Sequence, residues 1–306
     1  MVVLMLGRTP PGWGRLRAET AAMTTATESS AAALGTRGLR LRVGIAGLGA
    51  IGAPVVRRLD AEDLGADIVA VAVRDRQTAA GRLGALKRPP AFVELAELAE
   101  RCDVVVECLP SALFDEVALP AVERGRIFIP LSVGALLDRP ELIERAKATG
   151  ARIIVPTGAL VGLDAVRAAA EGTIHRVAMV TRKPPAGLAG APYLVEHGIS
   201  VDHLTEPLRV FSGTAREGAR AFPANVNVAA ALSLAGVGPD RTLLEIWADP
   251  TVERNTHRIE VDSDATRLTL VVEGIPSEEN PRTGKLTPLS VIATLRGLTQ
   301  TLRVGT

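Results

Sequence analysis

Five short apolar runs punctuate the first half of the chain, and helical periodicity follows most of them. Residues 41–46 (LRVGIA) predict a strand, and 53–59 place apolar side chains at helical spacing. Further strands are expected at 67–73 (DIVAVAV), 104–109 (VVVECL), 127–130 and 152–155 (RIIV), with helices at 93–99, 112–124 and 140–149. Runs of Val, Ile and Ala without polar alternation suit strands buried on both faces. Strand and helix in alternation predict a parallel sheet covered on both sides.

Beyond residues 156–159 (PTGA) one helix runs to about residue 170, and the alternation then stops. Strands are expected at 177–181, 206–211, 243–248, 257–261 and 267–272, interrupted only by helices near 215–221 and 226–234. Strands without regular crossovers predict a mixed or antiparallel sheet with helices on one face. A last helical segment, 289–302, is expected to return to the first domain. The fold class is therefore α/β: a Rossmann-type doubly wound parallel sheet, with a second α+β domain built on a mixed or antiparallel sheet. The expected boundaries are 41–157 for the parallel-sheet domain, 158–287 for the mixed-sheet domain, and 288–306 packing back onto the first. Residues 1–40 mix Gly, Pro, Thr, Ser and Arg without a sustained apolar period, and 24–33 (TTATESSAAA) is low in complexity. They read as an extension outside the fold, either disordered or produced by a start codon misplaced upstream of Met23.

Composition narrows the function. A length of 306 residues accommodates two domains. Basic and acidic residues number 35 and 34, so no single-sign field is available to hold nucleic acid. Five Phe, two Trp and one Tyr are too few for a base-stacking platform. Cys102 and Cys108 have neither zinc nor redox spacing, and two free thiols suit a reducing cytoplasm. No metal site is expected. No apolar run approaches the ~20 residues of a membrane span. The apolar opening is shorter than the apolar stretch of a signal peptide. The expectation is a cytoplasmic α/β protein with a small-molecule partner.

The chemistry begins at Gly47-Leu-Gly49-Ala-Ile-Gly52, which directly follows the first strand and opens the first helix. In that context the first glycine permits the tight turn, and the second lets backbone approach a pyrophosphate. The third brings the helix close to the sheet, with its N-terminus toward the phosphates. Gly47, Gly49, Ala50, Ile51 and Gly52 are the expected phosphate cradle, with Leu109 and Pro110 at the next strand end along the crevice. Asp75 is placed to take ribose hydroxyls, and the flanking Arg74 and Arg76 to accept a 2′-phosphate, which leaves NAD and NADP both open. Asp75 lies 28 positions after Gly47, beyond the usual spacing of about 20.

Of the four histidines, His175 precedes an apolar strand, and His197 and His203 fall in the Pro/Gly-containing stretch 184–205, which reads as an excursion loop. His257 opens a strand, and period-two alternation puts Asn255 on the same face. An imidazole beside an amide is a sensible acid-base pair next to a carbonyl or imine, although a structural role accounts for it as well.

Several segments of the second half, taken in order, resemble the L-aspartate dehydrogenase family. They are Pro156-Thr-Gly158-Ala159-Leu-Val-Gly162-Leu163-Asp164, Thr181-Arg182-Lys183-Pro184-Pro185 and Phe211-Ser-Gly213-Thr-Ala215-Arg216-Glu217. Phe222-Pro223-Ala-Asn225-Val-Asn227-Val-Ala229, Ala248-Asp249-Pro250 through Arg254-Asn255-Thr-His257, and Glu279-Asn280-Pro281-Arg-Thr283 complete the set. The resemblance extends from residue 41 to the end. It implies NAD(P)-dependent oxidation of L-aspartate to iminoaspartate, which hydrolyses to oxaloacetate and ammonia or feeds quinolinate formation in NAD biosynthesis. It also implies a homodimer, His257 as the catalytic residue with Asn255 beside it, and Ala159 and Asn227 against the dinucleotide. Arg182 and Lys183 are candidates to clamp the substrate carboxylates, although a solvated strand end would look the same. Two positions depart from the family pattern: Thr157 stands where Ser is usual and keeps a hydroxyl, whereas Gly284 stands where Ser is usual and loses one. Competing readings are a dehydrogenase of another small amino or keto acid, and an NAD(P)-binding protein without catalysis.

Overall fold

The computed structural model describes residues 40–223, 226–280 and 283–305. The expected extension therefore lies outside the described residues, as do Asn225 and Pro281 of the quoted segments. Arg40 belongs with the fold: its guanidinium reaches Asp67 and Asp63, each at 2.7 Å.

The first sheet is built in chain order. Strand β1 (Leu41–Ala46) leads into α1 (Gly52–Ala61), then β2 (Ala66–Ala72), α2 (Arg76–Leu83), β3 (Ala91–Val93) and α3 (Leu98–Arg101). Then come β4 (Val104–Glu107), α4 (Phe114–Glu123), β5 (Ile127–Pro130), α5 (Pro140–Thr149) and β6 (Arg152–Ile153). Six parallel strands lie in the order β3-β2-β1-β4-β5-β6, which is the dinucleotide-binding order. Strand β4 shows why its sequence does not alternate. Val104 and Val106 pack on the side of α1, Val105 packs on the side of α4, and all three have no exposed surface. Each buried valine contributes roughly 1.5–3 kcal/mol.

One local expectation is corrected and one helix is added. Residues 93–99 are not one helix: Val93 ends β3, a 3-10 turn covers Leu95–Glu97, and α3 holds only four residues. The Glu94–Glu97 capping box starts a fresh turn there, so one apolar run serves two elements. Helix α2 has few apolar positions, and its start is set by the Asp75 side chain, which accepts from the backbone N–H of Gln77 and Thr78.

The second sheet begins after α6 (Leu163–Ala170) with the long strand β7 (Ile174–Lys183). The excursion at 184–205 is not all loop, since it carries α7 (Pro192–Glu196). Strand β8 (Leu208–Thr214), α8 (Ala215–Ala221), α9 (Asn227–Ala235), β9 (Thr242–Ala248), β10 (Asn255–Ser263) and β11 (Arg267–Gly274) complete it. The order is β11-β10-β7-β9-β8, with β7 parallel to β9 and every other pair antiparallel. A mixed sheet results.

Helix α10 (Leu286–Thr299) crosses back to the first sheet. Val291, Ile292 and Leu295 join Val43, Ile45, Val55 and Leu59 in one apolar cluster. The Thr299 hydroxyl donates to the Leu64 carbonyl at 2.6 Å, and Arg296 pairs with Glu62 at 2.9 Å. The same helix lends Ser290, whose hydroxyl accepts from Gly158 N–H at 3.1 Å. Cys102 is structural: a side chain on Gly44 would lie 2.6 Å from its sulfur, and burial pushes its thiol up to about 11.

Candidate active site

A cleft of about 140 Å³ opens where the carboxyl edge of the first sheet meets one end of the second. Ile51, Leu131 and Val133 line it from the first sheet, and Pro156–Ala159 line it from the connection between sheets. Lys183, Asn255 and His257 come from the second sheet, Asn227 from α9, and Thr283, Gly284 and Thr287 from the entry to α10.

The glycine turn has a distinct geometry at each position. Gly47 has φ +91°, a value that L side chains rarely adopt, and a Cβ there would lie 2.6 Å from the Cys108 carbonyl oxygen. Gly52 is closed from the other side, because a Cβ would run into the Gly47 carbonyl. Gly49 differs: its Cβ direction meets no atom within 4 Å, so the turn is open there. Two closed glycines around one open one form a cradle that admits a phosphate to the backbone, and the residues present fit a dinucleotide.

At the ribose end the structure divides the Arg74-Asp75-Arg76 triplet. The Asp75 carboxylate caps α2, and hydrogen bonds from Thr78 hold it below the usual carboxylate range. Arg76 pairs with Glu94 at 3.2 Å, and Arg74 is exposed. Leu109 donates its N–H to Glu107 at 2.7 Å, and Pro110 is exposed beside it. Asn227 accepts the Gly134 N–H at 3.0 Å and faces the cleft together with Ala159.

Polar residues of the second sheet gather by register. His257 on β10 lies directly opposite Thr181 on β7, and Thr256 lies opposite Arg182. Alternation turns Thr181, Lys183, Asn255 and His257 toward the helix-covered face, at the same end of the sheet. Thr181, Lys183 and His257 are each at most 4% exposed. The His257 Nδ1 is 3.1 Å from the Thr181 hydroxyl, which leaves Nε2 for whatever enters the cleft. Burial, assisted by the charge of Lys183, lowers the His257 pKa to about 3, so the imidazole is neutral at physiological pH.

The same alternation separates the two basic residues expected to act as a clamp. Arg182 does not line the cleft: it lies on the opposite face, stacked over Trp247 with its guanidinium 5.0 Å from the ring centroid. It pairs with the buried Asp249 at 2.8 Å. The other histidines also lie apart from this cleft. His175 is exposed, His197 stacks on Tyr193, and His203 is an exposed turn residue with φ 54°.

Two residues without a sequence-based assignment prove central. Thr181 orients the imidazole. Glu107, with no exposed surface, ends β4 and receives four hydrogen bonds from two loops. A carboxylate closing a run of three valines was the available signal, since a buried charge requires partners.

Comparison with known proteins agrees with both sheets. The family model described as homoserine dehydrogenase, NAD binding domain, matches residues 47–156, and that described as aspartate dehydrogenase, C-terminal, matches 164–298. The chain is 56% identical over 271 residues to an L-aspartate dehydrogenase of Bradyrhizobium diazoefficiens, covering 89% of this chain and 96% of the relative. It is 53% identical to L-aspartate dehydrogenase 3 of Bordetella bronchiseptica, covering 87% and 98%. A solved aspartate dehydrogenase from Thermotoga maritima superimposes with a TM-score of 0.67 at 26% identity, covering 87% of this chain and all of that one. With both sheets, the glycine cradle and these relatives in agreement, this chain belongs to the L-aspartate dehydrogenase family.

Proposed function

We propose that this protein oxidises L-aspartate to iminoaspartate with NAD(P), and that the imine then hydrolyses to oxaloacetate and ammonia or passes to quinolinate formation. The observation that carries this reading is the group of Lys183, Asn255 and His257 on one sheet face, opening into the cleft that the glycine cradle borders, with Thr181 on the imidazole from the same face. A bound nicotinamide supplies the hydride acceptor.

The protein's own residues handle charge and protons. Lys183 offers a buried positive charge for one substrate carboxylate, where low dielectric makes a charge-assisted bond strong. The backbone N–H groups of Thr157 and Ala159 and the hydroxyls of Thr157, Thr283 and Thr287 provide further donors around the same space, while Gly158 N–H is held by Ser290. His257 accepts a proton at Nε2 while Thr181 engages Nδ1, and Asn255 offers an amide beside it. The neutral imidazole is the proton-accepting form, and a dicarboxylate beside it offsets the Lys183 charge and raises its basicity. Ile51, Leu131 and Val133 supply an apolar wall that excludes water from one side of the cleft.

The division of labour follows the two sheets, with 41–157 holding the dinucleotide and 158–287 the amino acid. A homodimer follows the family resemblance, and the face of the second sheet opposite its helices is the surface open to it: Val271 is 54% and Leu243 45% exposed there, among the Arg258–Glu260 and Arg209–Glu245 ion pairs. Light scattering of the protein beside Val271→Asp tests that assembly. Among the described residues no helix is long and apolar enough to cross a membrane. The two free thiols suit a cytoplasmic enzyme.

The test is absorbance of reduced cofactor with NAD and with NADP, offered L-aspartate, homoserine, L-glutamate or L-alanine. Turnover selective for L-aspartate is expected. Equal or better turnover of another amino acid, or none for any, would overturn the reading.

A further inference from the structure

Glu107 is the one fully buried carboxylate among the described residues, and it stands at the carboxyl end of the central strand β4. Four donors converge on it from two separate loops. Leu109 N–H reaches Oε1 at 2.7 Å, Ser132 N–H and Leu131 N–H reach Oε2 at 2.9 and 3.2 Å, and the Ser132 hydroxyl lies 3.1 Å from Oε1. The same hydroxyl lies 3.0 Å from the Leu109 carbonyl, closing a ring between the loops. Burial pushes the carboxyl above its ordinary range, against the opposing pull of the hydrogen bonds from Ser132, Leu109 and Leu131.

The loop after β5 lines the cleft, and the loop after β4 packs against the glycine turn that borders it. The loop after β4 packs against the glycine turn, where a Cβ on Gly47 would lie 2.6 Å from the Cys108 carbonyl and 3.0 Å from Leu109 Cδ2. The loop after β5 supplies Leu131 and Val133 to the cleft wall, and Gly134 N–H binds Asn227 at the start of α9. One side chain thus ties the phosphate cradle to the wall facing the reactive end of the cleft. The Ser132 hydroxyl is the second side chain that links the two loops.

We infer that Glu107, through Ser132, is a positioning residue for dinucleotide binding: it sets the spacing between the glycine turn and the Leu131–Val133 wall. The inference rests on the reading of this cleft as the NAD(P) site, but not on aspartate as substrate. Glutamine at 107 keeps the shape and one acceptor, but turns its amide toward either the Leu109 N–H or the Ser132 N–H, while Leu131 N–H keeps the Glu107 backbone carbonyl at 3.0 Å.

The test is direct binding of NADH and NADPH by fluorescence, without amino acid, on the parent, Glu107→Gln, Ser132→Ala and Ser132→Thr, each with a thermal melt. Glu107→Gln is expected to weaken binding at least tenfold. Ser132→Ala should weaken it three- to tenfold with little change in melting temperature, and Ser132→Thr, which restores the hydroxyl, should recover at least half of that loss. If Glu107→Gln does not fold, the serine pair decides alone. Parent-like binding by folded Glu107→Gln, or by Ser132→Ala where the glutamine variant does not fold, would overturn the inference, as would a loss in Ser132→Ala that Ser132→Thr does not relieve. A parent that binds dinucleotide but does not turn over aspartate would count against the proposed substrate and leave this inference intact.

Discussion

The Thr181 hydroxyl and the His257 imidazole meet across the β7–β10 ladder, with Oγ1 and Nδ1 3.1 Å apart and their backbones directly opposite. One nitrogen is thereby held by the sheet and the other is left to the cleft. His257→Ala should lower kcat by roughly 10²–10⁴-fold, the usual range for a lost general base. Dinucleotide affinity should stay near that of the parent. Thr181→Val, which keeps the shape and removes the hydroxyl, should lower kcat more mildly. Steady-state kinetics beside NADH titration separates the two effects, and a parent-like kcat for His257→Ala would remove it from the mechanism.

Acid sensitivity follows from the same burial. The native His257 pKa of about 3 lies below its ordinary value of 6.5, so between these pH values the unfolded chain binds a proton that the native protein does not. Stability from this site is full above 6.5 and is lost as pH falls toward 3, by up to ~1.4 kcal/mol per pH unit. Urea unfolding of the parent and His257→Gln at pH 7, 5.5 and 4.5 should show a shallower acid loss in the variant. Parallel loss in both proteins would contradict the assignment.

Lys183 and Arg182 are neighbours in sequence with opposite fates. Lys183→Met should raise KM for L-aspartate by roughly tenfold or more, equivalent to about 1.4 kcal/mol. It should also raise the His257 pKa, since a nearby positive charge is removed. Arg182→Ala should leave KM within about twofold and lower stability instead by roughly 1–3 kcal/mol. It deprives Asp249, only 2% exposed, of one partner. Equal effects of both variants on KM would argue against the division between sheet faces.

The glycine turn predicts a similar split between binding and folding. Gly49→Val should fold with a melting temperature near that of the parent, because its Cβ direction is open, yet bind NADH and NADPH far more weakly. Gly52→Ala should be destabilised outright, because its methyl collides with the Gly47 carbonyl. Thermal melts beside cofactor titrations distinguish the two outcomes.

Gly284 lines the cleft at a position where the family resemblance leads to the expectation of serine. A Cβ there meets only the Ile275 carbonyl, at an ordinary 3.8 Å. Gly284→Ser should therefore fold normally and, by restoring a hydroxyl donor, lower KM for L-aspartate. An increase in KM would show that the extra volume outweighs the donor.

Much of this organisation was legible in the sequence because the signals are local. Strand β1, the glycine turn and the start of α1 are continuous, so strand, fingerprint and helix could be read together. The Asn255/His257 pairing needed only the two-residue period of a strand. Arg182-Lys183 failed as a clamp for the same reason: adjacent residues on one strand cannot share a face. Helix α2 was missed because its start depends on a cap at Asp75 rather than on apolar periodicity.

By itself the sequence determined two sheets of different construction, the phosphate cradle, and a histidine with an amide neighbour, since each depends on residues close along the chain. Tertiary structure alone decided which partners those residues would meet. Thr181 and His257 are 76 positions apart, Leu131 and Ser132 lie more than 20 positions beyond Glu107, and Ser290 returns 132 positions to hold Gly158. Strand register and buried polar groups create those meetings: pairing sets which side chains stand opposite, and a carboxylate or imidazole removed from water must be satisfied by whatever the fold brings within reach.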